Sequence, residues 1–214
     1  MELKNSENKS MVKSSLLNNL EVIRWCYEPV TKLSLRDTQS EKKLKDSKSI
    51  EKEWGNGVMN TVDGKQWTTT LCQNLVLEAL IKLGRNNVKK TKPCKSSVNN
   101  KKYEPDLECD EYVYEVKGRS WCTPGTAGEK ILGVPLKYGE LPSLYHKPLR
   151  IILVGYQEYE ARNGYGFGDL LDKNVQTKEL HDSLKYFKDH KIEYIGFTDI
   201  LKQIGLDYDC WNKK

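Results

Sequence analysis

Two carboxylates and a lysine are spaced along one short segment, PDLECDEYVYEVK, in a way that suits metal-assisted chemistry. Asp106 stands near its start, and Glu115 and Lys117 stand at its end. Asp106 and Glu115 are equally far from the Asp-Glu pair midway between them, so a β-hairpin that turns there places them opposite one another. Cross-strand neighbours have Cβ atoms about 5 Å apart, close enough for two carboxylates to share a divalent cation.

Side chains on the second arm of this hairpin point alternately to its two faces, because successive residues of a strand lie on opposite sides. Glu115 and Lys117 point the same way as Val113, and Tyr114 and Val116 point the other way. The sequence therefore predicts two acids and a lysine converging on one spot.

Such a convergence suits the hydrolysis of a phosphodiester bond. Mg²⁺ is held by hard oxygen ligands, usually one or two carboxylates together with phosphate oxygens of the substrate. A bound metal lowers the pKa of its water and neutralises charge that develops on the phosphate, while an adjacent ammonium orients that water.

The pattern resembles the active-site signature of the PD-(D/E)xK nuclease superfamily, with Pro105-Asp106, eight intervening residues and then Glu115-Val116-Lys117. The stretch TPGTAGEKILGVPLKYGELPSLYHKPLRIILVG is similar to the region after the active-site strand in type II restriction endonucleases of bacterial and large-algal-virus origin. The likeness covers residues 70–155. The alternative is an exposed hairpin whose acids and lysine only solvate its outer face.

The resemblance implies an α/β fold that is restriction-endonuclease-like, with a mixed central sheet flanked by helices. It implies a type II endonuclease that cuts double-stranded DNA at a short sequence with Mg²⁺ and leaves 5′-phosphate and 3′-hydroxyl ends. Asp106, Glu115 and the Val116 carbonyl would hold the metal. Lys117 would position or deprotonate the attacking water. Because symmetric sites are cut by symmetric dimers, we expect a homodimer and a companion DNA methyltransferase.

Two other functions remain open. A repair, resolving or homing nuclease would keep the chemistry and recognise a different DNA substrate, such as a branched structure. A DNA-binding protein with a degenerate site would keep the DNA and lose the chemistry, although intact Asp106, Glu115 and Lys117 argue against that loss.

The apolar periodicity of TTTLCQNLVLEALIKLG predicts a helix before the hairpin, ended by Gly84. At 3.6 residues per turn, Glu78 lies about 20° from Leu71, on the border of the apolar face. In the resembling family a glutamate from the helix before the hairpin often assists metal binding, and Glu78 is the candidate. The alternative is a pair with Lys82, four residues on.

A basic stretch joins this helix to the hairpin: residues 82–102 carry eight Lys or Arg and no acid, within a chain of net charge +5. Such a run neutralises phosphates and supplies the salt-dependent part of DNA affinity. Lys89, Lys90 and Lys92 are the candidates. The alternative is a solvated surface loop.

Beyond the hairpin, Thr126 and Glu129 have the spacing of a capping box, which predicts a short helix. The amides at its start, together with Lys130 and Lys137, are candidates for contact with the DNA backbone, and helix capping alone is the alternative. The order Gly128-Glu129-Lys130 departs from the Walker A motif, so nucleotide binding is not expected.

We predict two regions in the chain. Residues 1–66 form a helical and loop extension used for dimerisation or DNA contact, and residues 67–214 form the catalytic domain. Apolar positions predict a helix over 15–35 that ends near Pro29, because a residue before proline avoids the α region. Residues 36–52 are almost all polar and indicate an exposed helix or an arm. The glycines of WGNGVMNTVDGKQW predict a loop.

The last third completes an α/β alternation. PLRIILVG, residues 148–155, is a continuous apolar run typical of a buried central strand. A helix over 178–189, a short strand over 193–195 and a last helix in FTDILKQIG follow. The predicted order from residue 67 is helix, hairpin, helix, strand, helix, strand, helix.

Length and composition restrict the number of domains, the cellular location and the state of the cysteines. The 214 residues are enough for one well-packed domain with a modest extension. No apolar run approaches the roughly 18 residues of a membrane span, and MELKNSENKSMVKSSLLNNL lacks the apolar core of a signal peptide. We therefore expect a cytoplasmic protein with no membrane partner. The six cysteines are scattered without a CxxC pair and are expected to be reduced thiols.

Overall fold

A five-stranded mixed sheet lies at the centre of the computed structural model, which describes residues 15–30, 41–60, 66–123, 126–168 and 177–208. The strands are β1 (Lys89–Lys90), β2 (Cys94–Lys95), β3 (Lys102–Tyr103), β4 (Leu107–Glu108), β5 (Val113–Arg119), β6 (Leu149–Gly155) and β7 (Ile192–Gly196). The central sheet has the order β1-β4-β5-β6-β7, and β2 and β3 form a separate pair. β4 is antiparallel to β1 and β5, whereas β5, β6 and β7 run parallel.

Eight α-helices and two 3₁₀ helices accompany these strands in the described residues. The 3₁₀ helices are Leu16–Asn18 and Thr126–Gly133. The α-helices are α1 (Leu20–Tyr27), α2 (Glu41–Met59), α3 (Trp67–Lys82), α4 (Val134–Lys137), α5 (Leu141–Tyr145), α6 (Tyr156–Asn163), α7 (Lys178–Asp189) and α8 (Phe197–Gln203).

The sheet is buried on both faces. Tyr114 and Val116 of β5 belong to one apolar core, which they share with residues of α1, α3 and α8. Val113 belongs to a second core on the other face, with residues of the second 3₁₀ helix, α4 and α5. The predicted α/β fold, a mixed sheet flanked by helices, is confirmed, and so is the predicted division of β5 side chains between two faces.

The hairpin formed by β4 and β5 has the predicted register. Leu107 pairs with Tyr114, so the next position outward places Asp106 opposite Glu115. The alternation of apolar and polar residues fixes this register, because a slip by one residue would move every side chain to the wrong face.

The predicted central strand is confirmed as β6, which lies between β5 and β7. It passes without a loop into α6, which the sequence did not predict. Gly155 makes this turn with φ of 64°, and a Cβ there would lie 3.1 Å from both the Arg119 carbonyl and the Trp25 ring. Only glycine suits a position that needs both a left-handed backbone and such close neighbours.

The C-terminal elements follow the prediction closely. The helix expected over 178–189 is α7 with those bounds, the last helix is α8, and β7 is one residue longer at each end than predicted. The short helix expected from the Thr126 capping box is present as a 3₁₀ helix.

The N-terminal segment differs more from expectation. The helix predicted over 15–35 is a 3₁₀ helix and α1, which ends before Pro29. Residues 31–35 lie outside the described residues. Within the polar stretch 36–52, residues 41–52 form the first part of α2, and residues 36–40 lie outside the described residues. The loop predicted from the glycines is wrong for residues 54–59, because Gly55 and Gly57 lie within that helix, and residues 61–65 lie outside the described residues.

Packing against a tryptophan explains the first of these glycines. A Cβ at Gly55 would lie 2.2 Å from atoms of the Trp67 ring, so the missing side chain lets α2 approach the start of α3. Val22 and Trp25 of α1 share a core with Leu71 of α3. The described part of segment 1–66 therefore contributes to the same core as the sheet.

The basic stretch is also more structured than the predicted loop, because it contains β1, β2 and β3. Among the helices of the described residues, none has the length and apolar character needed to cross a bilayer.

A buried glutamate ties α2 to the end of β5. Glu51 is 2% exposed and accepts hydrogen bonds from Trp25 Nε1 (2.8 Å), Trp121 N (2.9 Å) and Cys122 N (3.0 Å). Two backbone amides that follow β5 therefore depend on one carboxylate of α2.

Replacing this carboxylate by an amide should destabilise the fold. Glu51→Gln keeps the side-chain size but turns an NH₂ toward a buried donor, and hydrogen bonds to a charged group contribute about 1.5–3 kcal/mol each. We expect the free energy of unfolding, measured by urea denaturation, to fall by about 2 kcal/mol or more. The matched control is Glu53→Gln on the exposed side of α2, expected within about 0.5 kcal/mol of the original chain. Equal urea midpoints for the two variants would contradict this role.

Candidate active site

Asp106 and Glu115 meet at the open end of the hairpin. The Val116 amide donates to Asp106 Oδ2 at 2.6 Å, and Gln73 Nε2 of α3 donates to Asp106 Oδ1 at 2.5 Å. Each carboxylate oxygen of Asp106 thus has a donor from a different element, so the side chain is fixed between α3 and β5.

Glu115 lies beside it in the middle of β5 and is only 3% exposed. One of its oxygens pairs with Lys117 Nζ, two residues along the same face. Its other oxygen, Oε2, is buried and makes no hydrogen bond of ordinary geometry among the described residues, although the Tyr138 hydroxyl lies close enough to Glu115 to lower the pKa of its carboxyl group. The Lys117 side chain is 30% exposed, so its ammonium reaches the surface of the site.

Burial makes both carboxylates harder to ionise. It raises the pKa of Asp106, and the Val116 amide, Lys117 and Gln73 oppose that rise. It also raises the pKa of Glu115, where Lys117 opposes the rise and the charge of Asp106 adds to it. A buried and a half-buried acid whose like charges oppose one another create a site in which a cation is favourable.

These residues fit a divalent metal ion. Glu115 Oε2, which makes no hydrogen bond of ordinary geometry in the described residues, is a buried hard oxygen that needs a positively charged or donating neighbour. Asp106, Glu115 and the Val116 carbonyl are the predicted ligands, and all three lie at this end of the hairpin. No group of three or more His, Cys, Asp or Glu forms a metal cluster within the described ranges. Such a site matches Mg²⁺, which commonly takes one or two carboxylates and completes its shell with water and phosphate oxygens.

The structure does not bring Glu78 into this group. Its carboxylate accepts from Ser15 Oγ at 2.6 Å and from the Leu17 amide at 3.3 Å, so it caps the first 3₁₀ helix. The alternative partner, Lys82, forms no ion pair with it in the described residues. Gln73 is the α3 residue that hydrogen-bonds to Asp106. It lies about 140° around the helix from Glu78, and its polarity inside the TTTLCQNLVLEALIKLG pattern was the available signal.

Two further lysines predicted for DNA contact share a cavity with Lys117. Its volume is about 470 Å³, and its lining includes Lys130 and Lys137. Lys89, Lys90 and Lys92 do not line it. Lys89 and Lys90 form β1, at the edge of the sheet, where lysines also prevent unwanted pairing with other strands. A DNA-binding role for these three stays a prediction.

Tyr138 is a site residue that the sequence reasoning missed. It is 7% exposed, lines the same cavity, and accepts a hydrogen bond from Lys137 Nζ at 3.0 Å. Its ring centroid is 6.0 Å from Lys117 Nζ. Burial and the nearby charge of Glu115 raise the pKa of the Tyr138 hydroxyl. Tyr138 comes close to Glu115 and Lys117 because of the path that the chain takes after β5. The sequence carries no distinctive signal for that path.

Comparisons of the chain with protein-family models, with curated proteins and with solved structures give no significant match.

The contrast between Gln73 and Glu78 gives a prediction for metal affinity. Gln73→Leu removes the donor that orients Asp106, and loss of such a supporting hydrogen bond typically costs 10–100-fold in metal affinity. We expect about tenfold weaker Mn²⁺ binding by isothermal titration calorimetry. Glu78→Gln, the control on the same helix, should bind Mn²⁺ normally. Weakened binding in Glu78→Gln with normal binding in Gln73→Leu would reverse the assignment.

Proposed function

We propose that this chain is a type II restriction endonuclease that hydrolyses phosphodiester bonds of double-stranded DNA with Mg²⁺. The observation that carries the proposal is the pair of half-buried Asp106 and buried Glu115, with a Glu115 oxygen that makes no hydrogen bond in the described residues and Lys117 beside it. Asp106, Glu115 and the Val116 carbonyl would hold Mg²⁺. The bound cation would acidify a water molecule and neutralise charge on the scissile phosphate.

Lys117 would position the attacking water. Its ammonium is held by Glu115 and yet remains partly exposed, at the lining of a cavity that also includes Lys130 and Lys137. Asp106 would stay in place during the reaction, because the Val116 amide and Gln73 hold both of its oxygens.

The charge around the site favours a polyanionic substrate. Lys130 and Lys137 border the cavity beside Lys117, and phosphate oxygens pair well with ammonium groups. A homodimer that acts on a symmetric site, and a separately encoded DNA methyltransferase that protects that site, belong to the same proposal.

Plasmid digestion tests the proposal against its alternatives. With Mg²⁺ we expect discrete fragments with 5′-phosphate ends, no cutting in EDTA, and binding without efficient cleavage in Ca²⁺, a hard cation of different geometry. A resolving nuclease would nick only branched substrates, and an inactive DNA-binding protein would shift the plasmid and leave it intact. Full cutting in chelator would contradict the metal site.

Lys117→Ala separates catalysis from binding. Loss of a residue that positions or deprotonates water typically lowers the rate by 10²–10⁴-fold, so we expect cleavage to fall at least about 100-fold. The affinity for duplex DNA in Ca²⁺ should stay within about threefold, because one of several phosphate-facing cations is lost. Circular dichroism should show an unchanged fold. Cleavage at the original rate would remove Lys117 from the mechanism.

A further inference from the structure

A basic groove extends from the site toward α2. The cavity at Lys117 adjoins a second one of about 520 Å³, and Gly118, Lys130 and Gln157 line both. We propose that the phosphodiester backbone of DNA runs along this groove and that Lys48 and Lys52 of α2 hold it beyond the reacting phosphate. This inference rests on the proposed function and adds α2 to the DNA-binding surface.

The floor of the groove is open where the two cavities meet. Gly118 follows Lys117 on β5, is exposed and lines both cavities. The position also demands glycine, because a Cβ there would lie 2.1 Å from Cys72 Sγ. A strand that reaches Lys117 can therefore continue toward α2 over bare backbone.

The groove has basic side chains along its length. Lys137 and Lys117 lie in one cavity, Lys130 lies at the junction, and Lys48 and Lys52 lie in the other. Lys48 and Lys52 are four residues apart, so they project from the same side of α2, and both are exposed.

The acid that lines the groove does not offset this charge pattern. Glu51 is the acid among the lining residues of both cavities, as far as the structure describes them, and it is directed inward. Its oxygens accept from Trp25, Trp121 and Cys122, which keeps the carboxylate away from any ligand. The other charged side chains that line the two cavities are all basic.

A polymer of phosphates fits this pattern better than a single anion does. Positive side chains lie both at Lys117 and at a distance from it, whereas one phosphate would need them gathered at one point. Gln66, Thr68 and Thr69 line the α2 end and supply amide and hydroxyl groups, which commonly contact DNA phosphates. Such contacts fix the position of the duplex and carry no sequence information. The α2 lysines should therefore contribute equally to all DNA sequences.

The test is the double variant Lys48→Gln with Lys52→Gln. Binding to a fluorescein-labelled duplex is measured by anisotropy in Ca²⁺ between about 50 and 200 mM salt, because each phosphate contact contributes about 0.9 to the slope of log K against log salt. We expect the slope to be about two shallower, the affinity to fall for specific and unrelated duplexes alike, and Mn²⁺ affinity to be unchanged. The matched control is Lys178→Gln with Lys185→Gln on α7, which is exposed and lines neither cavity.

The outcomes separate the inference from the proposed function. If the α2 variant keeps the original slope while the original chain cuts plasmid, the groove inference is wrong and the proposed function stands. If the α7 control loses as much affinity as the α2 variant, the effect is one of net charge and the groove inference is again wrong. If the original chain neither binds nor cuts duplex DNA, both fail. Melting temperatures confirm folding, and the single variants Lys48→Gln and Lys52→Gln replace the double variant if it unfolds.

Discussion

The hydrogen bond from the Val116 amide to the Asp106 carboxylate determines the geometry of the whole candidate site. It holds the side chain of the residue before β4 against the backbone of β5, at the point where Glu115 is buried. Without it, Asp106 would be free to turn toward solvent, and the two acids would not face a common position. Gln73 strengthens the same constraint from α3.

The fixed position of Glu115 beside Asp106 matters chemically because Glu115 is buried. The two apolar cores enclose β5 on both faces, and Glu115 lies within that enclosure with one oxygen that makes no hydrogen bond of ordinary geometry in the described residues. An acid in such a position is costly unless a cation compensates it, and Lys117 compensates only one of its oxygens. Glu51 provides the contrast, since three hydrogen bonds satisfy its carboxylate completely. One buried glutamate is thus structural, and the other is the proposed metal ligand.

Short-range patterns predicted much of this arrangement. The hairpin register follows from alternation with period two, which is a local property, and the bounds of α7 and the burial of β6 follow from periodicity and from an unbroken apolar run. Gly55 could not be placed in a helix from sequence, because the reason for that glycine is Trp67, a contact between two elements. The role of Glu78, a metal candidate with Lys82 pairing as the alternative, could not be decided from sequence either, because its partners, Ser15 and Leu17, lie more than 60 residues away. The turn at Gly155 was missed because a strand that enters a helix directly leaves no loop to recognise.

The proposed groove and the proposed metal site depend on the same strand. β5 supplies Glu115 and Lys117 to the site and Gly118 to the floor of the groove, and Glu51 fixes the amides that follow its end. The segment before residue 67 therefore contributes to the fold through Glu51 and, under the groove proposal, to DNA binding through Lys48 and Lys52.

An anomalous difference map from crystals soaked in Mn²⁺ tests most directly whether Asp106 and Glu115 bind a divalent metal ion. We expect one peak bonded to a carboxylate oxygen of Asp106 and to Glu115 Oε2, at the short distance of about 2.0–2.2 Å that small divalent cations adopt with oxygen ligands. A well-ordered site with no peak between these two carboxylates, or a peak bound elsewhere on the protein, would contradict it.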